Sequence, residues 1–209
     1  MIIKEKLKDL YFIITGTIRN KKIENKNFTI ISNNCFGGIV YRNFHIPYQS
    51  PTCGMFFMAP DYIKFIYNIK KYIYKDIVEI KICDSKYADY YRQKNYTGLI
   101  GKIDDIEVCL MHYNSIDECN KKWKRRSQRI NWDRIIYKFN DQNLCSYSDL
   151  KAFENFDAPN KICFTAKKYD EFNFIHLEQF KNYNYVLSDT REKDYRNKLN
   201  IIKYLNNIQ

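Results

Sequence analysis

The sequence predicts an α/β fold in which a mixed, mainly parallel, Rossmann-like sheet is flanked by helices in three layers. Short β-branched or alternating segments, typical of strands, alternate along the chain with segments whose apolar residues recur at helical spacing. Two strands within residues 99–111 are joined by a short turn, which indicates that part of the sheet is antiparallel. The length of 209 residues and the apolar fraction of 45% suit a single core. We therefore expect an N-terminal helix and connector over residues 1–27 and a single α/β domain over residues 28–209.

The first sixty residues are predicted to contain a long helix, a strand and an ordered loop. Residues 11–14 would also suit a strand, but apolar side chains of residues 1–20 recur at helical spacing, at Ile3, Leu7, Leu10, Ile14 and Ile18. After a polar connector, residues 28–31 form a β-branched strand that ends at a cluster of turn-forming residues, Ser32, Asn33 and Asn34. Residues 37–60 are rich in Gly, Pro and aromatic residues and are expected to form an ordered loop.

The remaining residues are predicted to continue the alternation of helices and strands. Ser115 and Glu118 form a capping box at the start of a basic helix, and Asp189 and Glu192 form a similar pair at the start of the last helix. Helices are predicted over residues 60–75, 115–130, 148–156 and 189–205. Strands are predicted over residues 78–82, 99–100, 106–111, 135–139, 161–165 and 174–177.

The net charge of +11 suits an anionic partner such as a phosphate-bearing substrate or an anionic membrane surface. The lysines are spread along the chain instead of clustering beside aromatic platforms, as they would in a nucleic-acid interface. Much of the charge is therefore expected to be solvated surface, and nucleic acid is not the expected partner.

The cysteines indicate a reducing compartment. There are seven, an odd number, none forms a Cys-x-x-Cys pair, and several lie in apolar runs. Three histidines at these spacings provide no paired zinc ligands, so no metal site is predicted. The charged N-terminus does not match a signal peptide, and no apolar run has the length of a membrane span. We expect a cytoplasmic protein, with peripheral contact to the membrane as a further option.

The segment from Ser32 to Gly38 is the first candidate site. Ligands of open α/β sheets bind beyond the carboxyl ends of strands, and this segment follows such an end. Its amide groups can donate hydrogen bonds to an oxyanion or a phosphate, and Cys35 can be a nucleophile if its pKa is lowered. The donors we single out are Ser32, Asn33, Asn34, Gly37 and Gly38. The same residues also suit an ordinary turn, so the local pattern leaves both interpretations open.

Two further segments offer polar groups near strand ends. Residues 45–55 are stiffened by two prolines, and they are typical either of a pocket wall or of an ordered cover over the core. The pocket interpretation assigns substrate contacts to Tyr48, Ser50 and Thr52 and a catalytic base to His45. His112 follows a predicted strand and is a second candidate base, although a lone histidine there is often structural. His176 lies in an apolar run and is expected in the core.

The basic helix is the last candidate. Lys122, Arg125, Arg126 and Arg129 recur at helical spacing, which predicts a basic face opposite Cys119, Trp123 and Ile130. Arg125 or Arg129 can then hold the phosphates of a nucleotide-sugar or of coenzyme A. A solvated face anchored by Trp123 would give the same pattern.

Several of these motifs together resemble a family of bacterial proteins, the domain-of-unknown-function family DUF1919, often labelled exopolysaccharide biosynthesis protein. The resemblance covers roughly residues 25–180, with Phe36 in place of a tryptophan. It is carried by Phe28-Thr-Ile-Ile-Ser-Asn-Asn-Cys-Phe-Gly-Gly38, Pro47-Tyr48 with Ser50-Pro51-Thr52, Phe56-Phe57-x-x-Pro60-Asp61-Tyr62, Leu110-x-His112-Tyr113, Trp123-x-Arg125-Arg126 with Arg129-Ile130-Asn131-Trp132, and Lys161-Ile-Cys-Phe-Thr-Ala166-Lys167.

The family resemblance implies a role in bacterial cell-surface polysaccharide assembly and supplies no reaction. The step from Asn34 to Cys35 is also similar to the Gly-Asn-Cys-Gln turn of a capsule-cluster acyltransferase that pairs Cys with His and uses coenzyme A, although its Gly and Gln are absent here. Three hypotheses follow. The first is a cytoplasmic transferase that modifies a sugar or glycolipid intermediate, with an acyltransferase that uses a coenzyme A thioester as one option. The second is a glycosyltransferase with a nucleotide-sugar donor, and the third is a non-catalytic partner of the polysaccharide machinery or a basic nucleic-acid binder. The second would need carboxylates, for which Asp61, Asp104, Asp105 and Asp133 are candidates.

Overall fold

A computed structural model describes residues 2–208, with side chains from Phe12 to Ile208. Within that part the helices are α1 (Ile2–Lys21), α2 (Phe36–Asn43), α3 (Ala59–Tyr67), α4 (Ile69–Tyr72), α5 (Ala88–Gln93), α6 (Ile116–Ser127), α7 (Tyr147–Asn155), α8 (Glu192–Tyr195) and α9 (Ile201–Asn206). The strands are β1 (Thr29–Ser32), β2 (Phe56–Phe57), β3 (Val78–Ile80), β4 (Ile100–Ile103), β5 (Ile106–Cys109), β6 (Ile135–Asn140), β7 (Lys161–Thr165) and β8 (Ile175–His176). None of these helices has both the length and the apolar character that crossing a bilayer requires.

The predicted mixture of parallel and antiparallel strands is confirmed, but it is divided between two four-stranded sheets. One sheet has the order β1-β6-β7-β8, and every neighbouring pair in it is parallel. The other has the order β2-β5-β4-β3, and every pair is antiparallel. The predicted hairpin is β4 and β5, which turn at Asp104 and Asp105. In the parallel sheet Ser32 pairs with Lys138, so the carboxyl ends of β1 and β6 lie side by side.

The two faces of the parallel sheet bury different apolar clusters. Ile31 of β1 and Phe139 of β6 face a cluster that contains α3, α6, α7 and the inner side of the antiparallel sheet. Ile30 of β1 and Ile136 of β6 face a second cluster that contains α2, α9 and the C-terminal segment. This alternation is the period of two that a strand imposes on its side chains. Both faces of the parallel sheet are therefore covered.

The carboxyl end of β1 is also the place where the two sheets meet. The backbone N–H of Phe57 in β2 donates to the carbonyl oxygen of Asn33 at 2.9 Å. The N–H of Ala59 donates to the carbonyl of Asn143 at 2.8 Å. The buried hydroxyl of Tyr62 donates to the carbonyl of Ile31 at 2.8 Å. These bonds fix the strand ends of one sheet against the edge strand of the other.

The expected loop over residues 37–60 begins instead with helix α2, and this prediction was wrong. Two glycines in the first turn lower helix propensity, which hid the helix in the sequence. Gly37 is needed for packing, because a Cβ there would lie 3.1 Å from the carbonyl oxygen and Cγ2 of Ile30. A helix therefore follows β1 directly and lies close against it.

Other boundaries differ from the predictions for local reasons. The predicted last helix is divided into α8 and α9, and the residue that caps α8 is Arg191. Asp189 is not a cap, because its carboxylate is buried against Lys138. The helix after Pro60 is interrupted at Asn68, and α5 and β2 were not predicted. The helical alternative for residues 1–20 is confirmed by α1, although the side chains of Ile3, Leu7 and Leu10 lie outside the described part of the chain.

Candidate functional site

Cys35 lies in the sharp turn between β1 and α2. The side chains around it satisfy the free amides at the start of the helix: Ser32 Oγ accepts from Gly37 N at 3.2 Å, and Asn34 Oδ1 accepts from Phe36 N at 3.1 Å. These side-chain caps hold the turn in one conformation. The Cys35 side chain is partly exposed and faces a cleft at the carboxyl end of the parallel sheet.

His112 lies opposite, on the segment that follows β5 of the antiparallel sheet. Its backbone N–H donates to the carbonyl of Gly54 at 3.1 Å, which ties this segment to the loop before β2. The side chain of His112 is exposed and lines the same cleft as Cys35. Each sheet thus contributes one of the two groups, and we call the space between them the Cys35 cleft.

The Cys35 cleft extends in two directions from Cys35, Ile39 and His112. One arm, the cationic end, has a volume of about 250 Å³ and reaches α6, with Arg42, Lys122 and Arg126 among its lining residues. The other arm has a volume of about 380 Å³ and runs past Gln142 and Asn143. Gln142 and Asn143 also border a further hollow lined by Tyr90, Tyr185 and Asn184, which we call the tyrosine end.

A buried polar network lies directly below Cys35. Lys138 and Asp189 form an ion pair in which both side chains are almost fully inaccessible. Lys138 Nζ also donates to Asn34 Oδ1 at 3.0 Å and to Asn33 Oδ1 at 3.3 Å. Asp189 accepts from Asn34 Nδ2 at 2.8 Å and from Asn140 Nδ2 at 2.7 Å. Nearly every hydrogen-bonding group of the network has a partner, as burial of two charges demands.

This network and burial decide the protonation of Cys35. Burial raises the pKa of the Cys35 thiol, Lys138 opposes that shift, and Asp189 reinforces it. Burial also lowers the pKa of Lys138, while the Asp189 carboxylate acts against the lowering. Because the pKa of Cys35 lies above its ordinary value, Cys35 is a thiol at neutral pH and needs a base before it can react as a nucleophile.

The cationic end is built around a buried arginine. Arg126 is 5% exposed, and its Nη1 donates to the carbonyl of Cys53 and to the hydroxyl of Tyr113, both at 2.8 Å. Its guanidinium lies over the ring of Tyr48, 4.7 Å from the centroid. Its Nε is buried and has no hydrogen-bond partner among the described residues. Arg126 is therefore a lining residue of the cleft whose guanidinium group keeps one buried donor unused.

The predicted face of the basic helix is corrected by this geometry. Arg126 does not point away from Trp123 but shares its buried side of α6, three residues further along. Arg125 is exposed and lines no part of the Cys35 cleft, and Arg129 is exposed and donates to the carbonyl of Tyr48 at 3.2 Å. The spacing of Cys119, Trp123 and Arg126, which follows the apolar stripe, was the signal that could have identified Arg126.

The structure separates the residues predicted from the loop over residues 45–55. Tyr48 lines the Cys35 cleft, but Ser50 and Thr52 are completely buried and bond to each other at 3.0 Å. His45 lies on the other side of α2, where its ring contacts Phe12 of α1 at a centroid distance of 5.2 Å. His112, and not His45, is therefore the histidine that accompanies Cys35.

The predicted amide donors are also placed differently from what an oxyanion site needs. The side-chain amides of Asn33 and Asn34 donate to Asn140 and Asp189, and Gly37 N donates to Ser32 Oγ. Gly38 lies on the side of α2 that lines the cleft. Ser32, Asn33, Asn34 and Gly37 thus support Cys35 from below, and the residues of this support that the sequence did not reveal are Lys138, Asn140 and Asp189.

The carboxylates considered for a nucleotide-sugar site lie elsewhere and are mostly paired. Asp104 and Asp105 bind lysines of α3, α4 and the turn that follows. Asp61 is buried, pairs with Lys86 and accepts from Glu107 N at 2.7 Å. Asp133 is exposed in a turn. Among the described residues that line the two arms of the Cys35 cleft, Asp189 is the carboxylate, and Lys138 neutralises it. At the tyrosine end, Asp141 accepts hydrogen bonds from the backbone N–H groups of Ala166 and Val186 at 2.7 Å.

A relative and a family model both match this chain over most of its length. A protein of Haemophilus influenzae described as "Uncharacterized protein" is 27% identical over 201 residues, covering 93% of this chain and 91% of the relative. The family described as Domain of unknown function (DUF1919) matches residues 7–206, which contain both sheets and the Cys35 cleft. The chain belongs to the DUF1919 family.

Proposed function

We propose that this protein is a transferase that moves an acyl group onto a sugar or glycolipid intermediate of bacterial cell-surface polysaccharide assembly. The observation that carries the proposal is that Cys35 and His112, contributed by different sheets, line one cleft at the carboxyl end of β1. A cysteine held in a strand–helix turn, with a histidine beside the same cleft, is the arrangement of a nucleophile and its base. The polysaccharide setting follows from the resemblance described above.

The transfer proceeds in two steps through an acyl-cysteine. Cys35 Sγ attacks the carbonyl carbon of a thioester donor such as an acyl-coenzyme A, while His112 takes the thiol proton. The bond from that carbon to the donor sulfur breaks, and the departing thiolate receives the proton from His112. An acceptor hydroxyl then attacks the acyl-cysteine, and its proton passes through His112 to Sγ as the ester forms and the thiol is restored.

The tyrosine end supports a sugar as the acceptor. Tyr90 and Tyr185 present aromatic surface and Asn143 and Asn184 present amides, a combination that suits a hydroxyl-rich ring. Lys94 lies 6.0 Å from the ring centroid of Tyr90 and 5.9 Å from that of Tyr185, which holds these rings beside one another. We assign the acceptor to this end of the Cys35 cleft.

We also propose that the parallel sheet is the centre of a Rossmann-like, three-layer arrangement. Its support is the alternation of side chains between the two apolar clusters, with α2 and α9 on one face and α3 and α7 on the other. In such folds the carboxyl ends of the strands bind the ligand, which is where Cys35 lies.

The same proposal includes peripheral contact with the anionic inner surface of the membrane. The reaction would then take place on the cytoplasmic side. Helix α1 exposes Ile13, Ile14 and Ile18, each about half accessible to solvent. Exposed apolar residues on a helix of a chain with a net charge of +11 favour an interfacial position on anionic lipid. A glycolipid acceptor would be met at that surface.

Intact-mass spectrometry tests the transfer. Incubation with an acyl-coenzyme A is expected to add one acyl group to the wild-type protein at Cys35, and none at this position in Cys35→Ser. His112→Ala is expected to acylate about a hundredfold more slowly, because the thiol loses its base. Cys83→Ser is the matched control, since Cys83 is exposed and lies outside the cleft.

The assignment of Cys35 as nucleophile and His112 as base is wrong if both Cys35→Ser and His112→Ala keep full transfer activity. Calorimetry separates the two donor classes. Coenzyme A is expected to bind, whereas binding of UDP- or CDP-sugars that requires Mn²⁺ would instead support a glycosyltransferase.

A further inference from the structure

Arg126 is the most unusual charged residue of the described chain outside the transfer chemistry. It is 5% exposed and makes no ion pair with the described residues. By contrast, the arginines of the described part that do form ion pairs are at least partly exposed: Arg19, Arg92 and Arg191. Its partners are neutral oxygens, and its Nε has no partner among the described residues. A buried guanidinium is stabilised when an anion completes its hydrogen bonds. An anionic ligand would therefore stabilise the Arg126 guanidinium more than its neutral partners alone do.

The surrounding residues add positive charge to the same arm of the cleft. Arg42 of α2 and Lys122 of α6 line the cationic end together with Arg126, and the described lining residues of this arm include no carboxylate. Lys122 pairs with Glu118, one turn earlier on α6, so this carboxylate offsets part of the charge. Among the residues that the structure describes, neither Arg42 nor Arg126 forms an ion pair with a carboxylate, and two such cations match a doubly charged ligand group better than a single carboxylate.

We propose that the cationic end is a phosphate-binding subsite in which Arg126 holds the phosphate or diphosphate ester of the ligand, with Arg42 and Lys122 at its rim. Arginine suits this role because its planar donors match phosphate oxygens in pairs. Tyr113, Cys53 and Tyr48 fix the guanidinium from behind and from one face, so the site is built before the ligand arrives.

The position of the phosphate-binding subsite determines how a ligand would be oriented in the Cys35 cleft. Cys35 and His112 lie between the cationic end and the tyrosine end, since they line both arms. A ligand whose phosphate is bound by Arg126 therefore places its reactive group at Cys35 and leaves the tyrosine end free. This orientation rests on the proposed transfer, whereas phosphate binding itself does not require it.

Calorimetry on the full chain tests the subsite with inorganic pyrophosphate as the probe. We expect the wild-type protein to bind pyrophosphate more tightly than acetate, and Arg126→Gln to weaken binding about tenfold or more. Arg125→Gln is the matched control, because it removes the neighbouring exposed guanidinium and is expected to leave the affinity unchanged. Arg42→Gln changes an exposed side chain and is expected to weaken binding several-fold even if Arg126→Gln fails to fold.

Any of three results overturns the subsite: the absence of pyrophosphate binding at millimolar concentration, an unchanged affinity of folded Arg126→Gln, or equal affinities for the wild type and Arg42→Gln. Coenzyme A and UDP serve as further probes that show whether the phosphate belongs to a thioester donor or to a nucleotide-sugar. Wild-type protein that binds pyrophosphate but takes up no acyl group from an acyl-coenzyme A would reject the transfer and keep the subsite.

Discussion

At the scale of single residues, the state of the Cys35 thiol decides how the site works. Burial raises its pKa above the ordinary value of 9.0, so little thiolate is present at neutral pH. In the transferase that we propose, the nucleophile would stay protonated until a substrate and the base are in place. The thiol is then protected from oxidation between reaction cycles, since oxidation follows the thiolate.

The raised pKa predicts the pH dependence of Cys35 alkylation. The rate of reaction with iodoacetamide follows the thiolate fraction, so at pH 8 Cys35 is expected to react more slowly than a small free thiol, and its rate is expected to rise beyond pH 9. Mass spectrometry of the Cys35 peptide over a pH series measures this. A half-maximal rate below pH 8 would contradict it and indicate an activated thiolate.

The two adjacent glycines of α2 predict opposite effects of one added methyl group. Gly37→Ala is expected to destabilise the fold by about 1–3 kcal/mol, because its Cβ would meet the backbone of β1 at 3.1 Å. Gly38→Ala places its Cβ 3.5 Å from Cys53, an ordinary contact, and is expected to stabilise α2 by about 0.5–1 kcal/mol. Urea denaturation of both variants measures the difference. A Gly37→Ala variant as stable as Gly38→Ala would show that the close contact with β1 does not require a glycine at position 37.

At the scale of elements, the Lys138–Asp189 pair connects β6 to the segment before α8. Its partners Asn33, Asn34 and Asn140 lie at the ends of β1 and β6, so five side chains from three parts of the chain share one buried network. The network fixes the strand ends on which the turn at Cys35 depends. We infer that loss of either charge disturbs the turn at Cys35 and also lowers the overall stability of the fold.

This network predicts a strong thermodynamic coupling. Lys138→Met or Asp189→Asn alone is expected to lower the free energy of unfolding by about 3–5 kcal/mol, because each leaves a buried polar partner unpaired. The double variant is expected to be less destabilised than the sum of the single variants by about 2 kcal/mol. A double-mutant cycle in urea gives this coupling, with Lys168→Met and Asp170→Asn, an exposed ion pair, as the matched control. Additive effects at Lys138 and Asp189 would argue that the two charges do not interact.

At the scale of the whole molecule, much of the fold was predictable and the arrangement of its parts was not. Local signals were enough to predict α1, the capped helix α6 and the strands β1, β6 and β7. Hydrophobic periodicity and capping depend only on residues that are close together in the sequence. The division into two sheets depends on which strand ends pair, and short apolar strands carry no such information.

The candidate site shows the same division between local and long-range information. Cys35 and His112 were recognised as candidates because each follows a strand. Asp189 was misread as a helix cap, since its partner Lys138 is far away in the sequence. A lysine inside the apolar run of β6 was the available sign that a buried carboxylate had to exist elsewhere.

The exposed apolar residues of α1 predict contact with a membrane surface. Wild-type protein is expected to sediment with anionic phosphatidylglycerol vesicles, and Ile14→Asp with Ile18→Asp is expected to reduce the bound fraction several-fold. Tyr74→Asp is the matched control, because Tyr74 is an exposed aromatic residue outside α1. Wild-type protein that stays in solution with these vesicles would refute the membrane contact.

The separation of Lys138 and Asp189 along the chain also sets an order of events during synthesis. Cys35 and Lys138 leave the ribosome before Asp189 does, and until then the lysine ammonium lacks its ion-pair partner. Asn34 and Asn140 meanwhile lack the acceptor that they share. Burying these groups is unfavourable at that stage, so the strand ends below Cys35 stay hydrated. The nascent protein therefore completes the buried network below Cys35 only after Asp189 has left the ribosome.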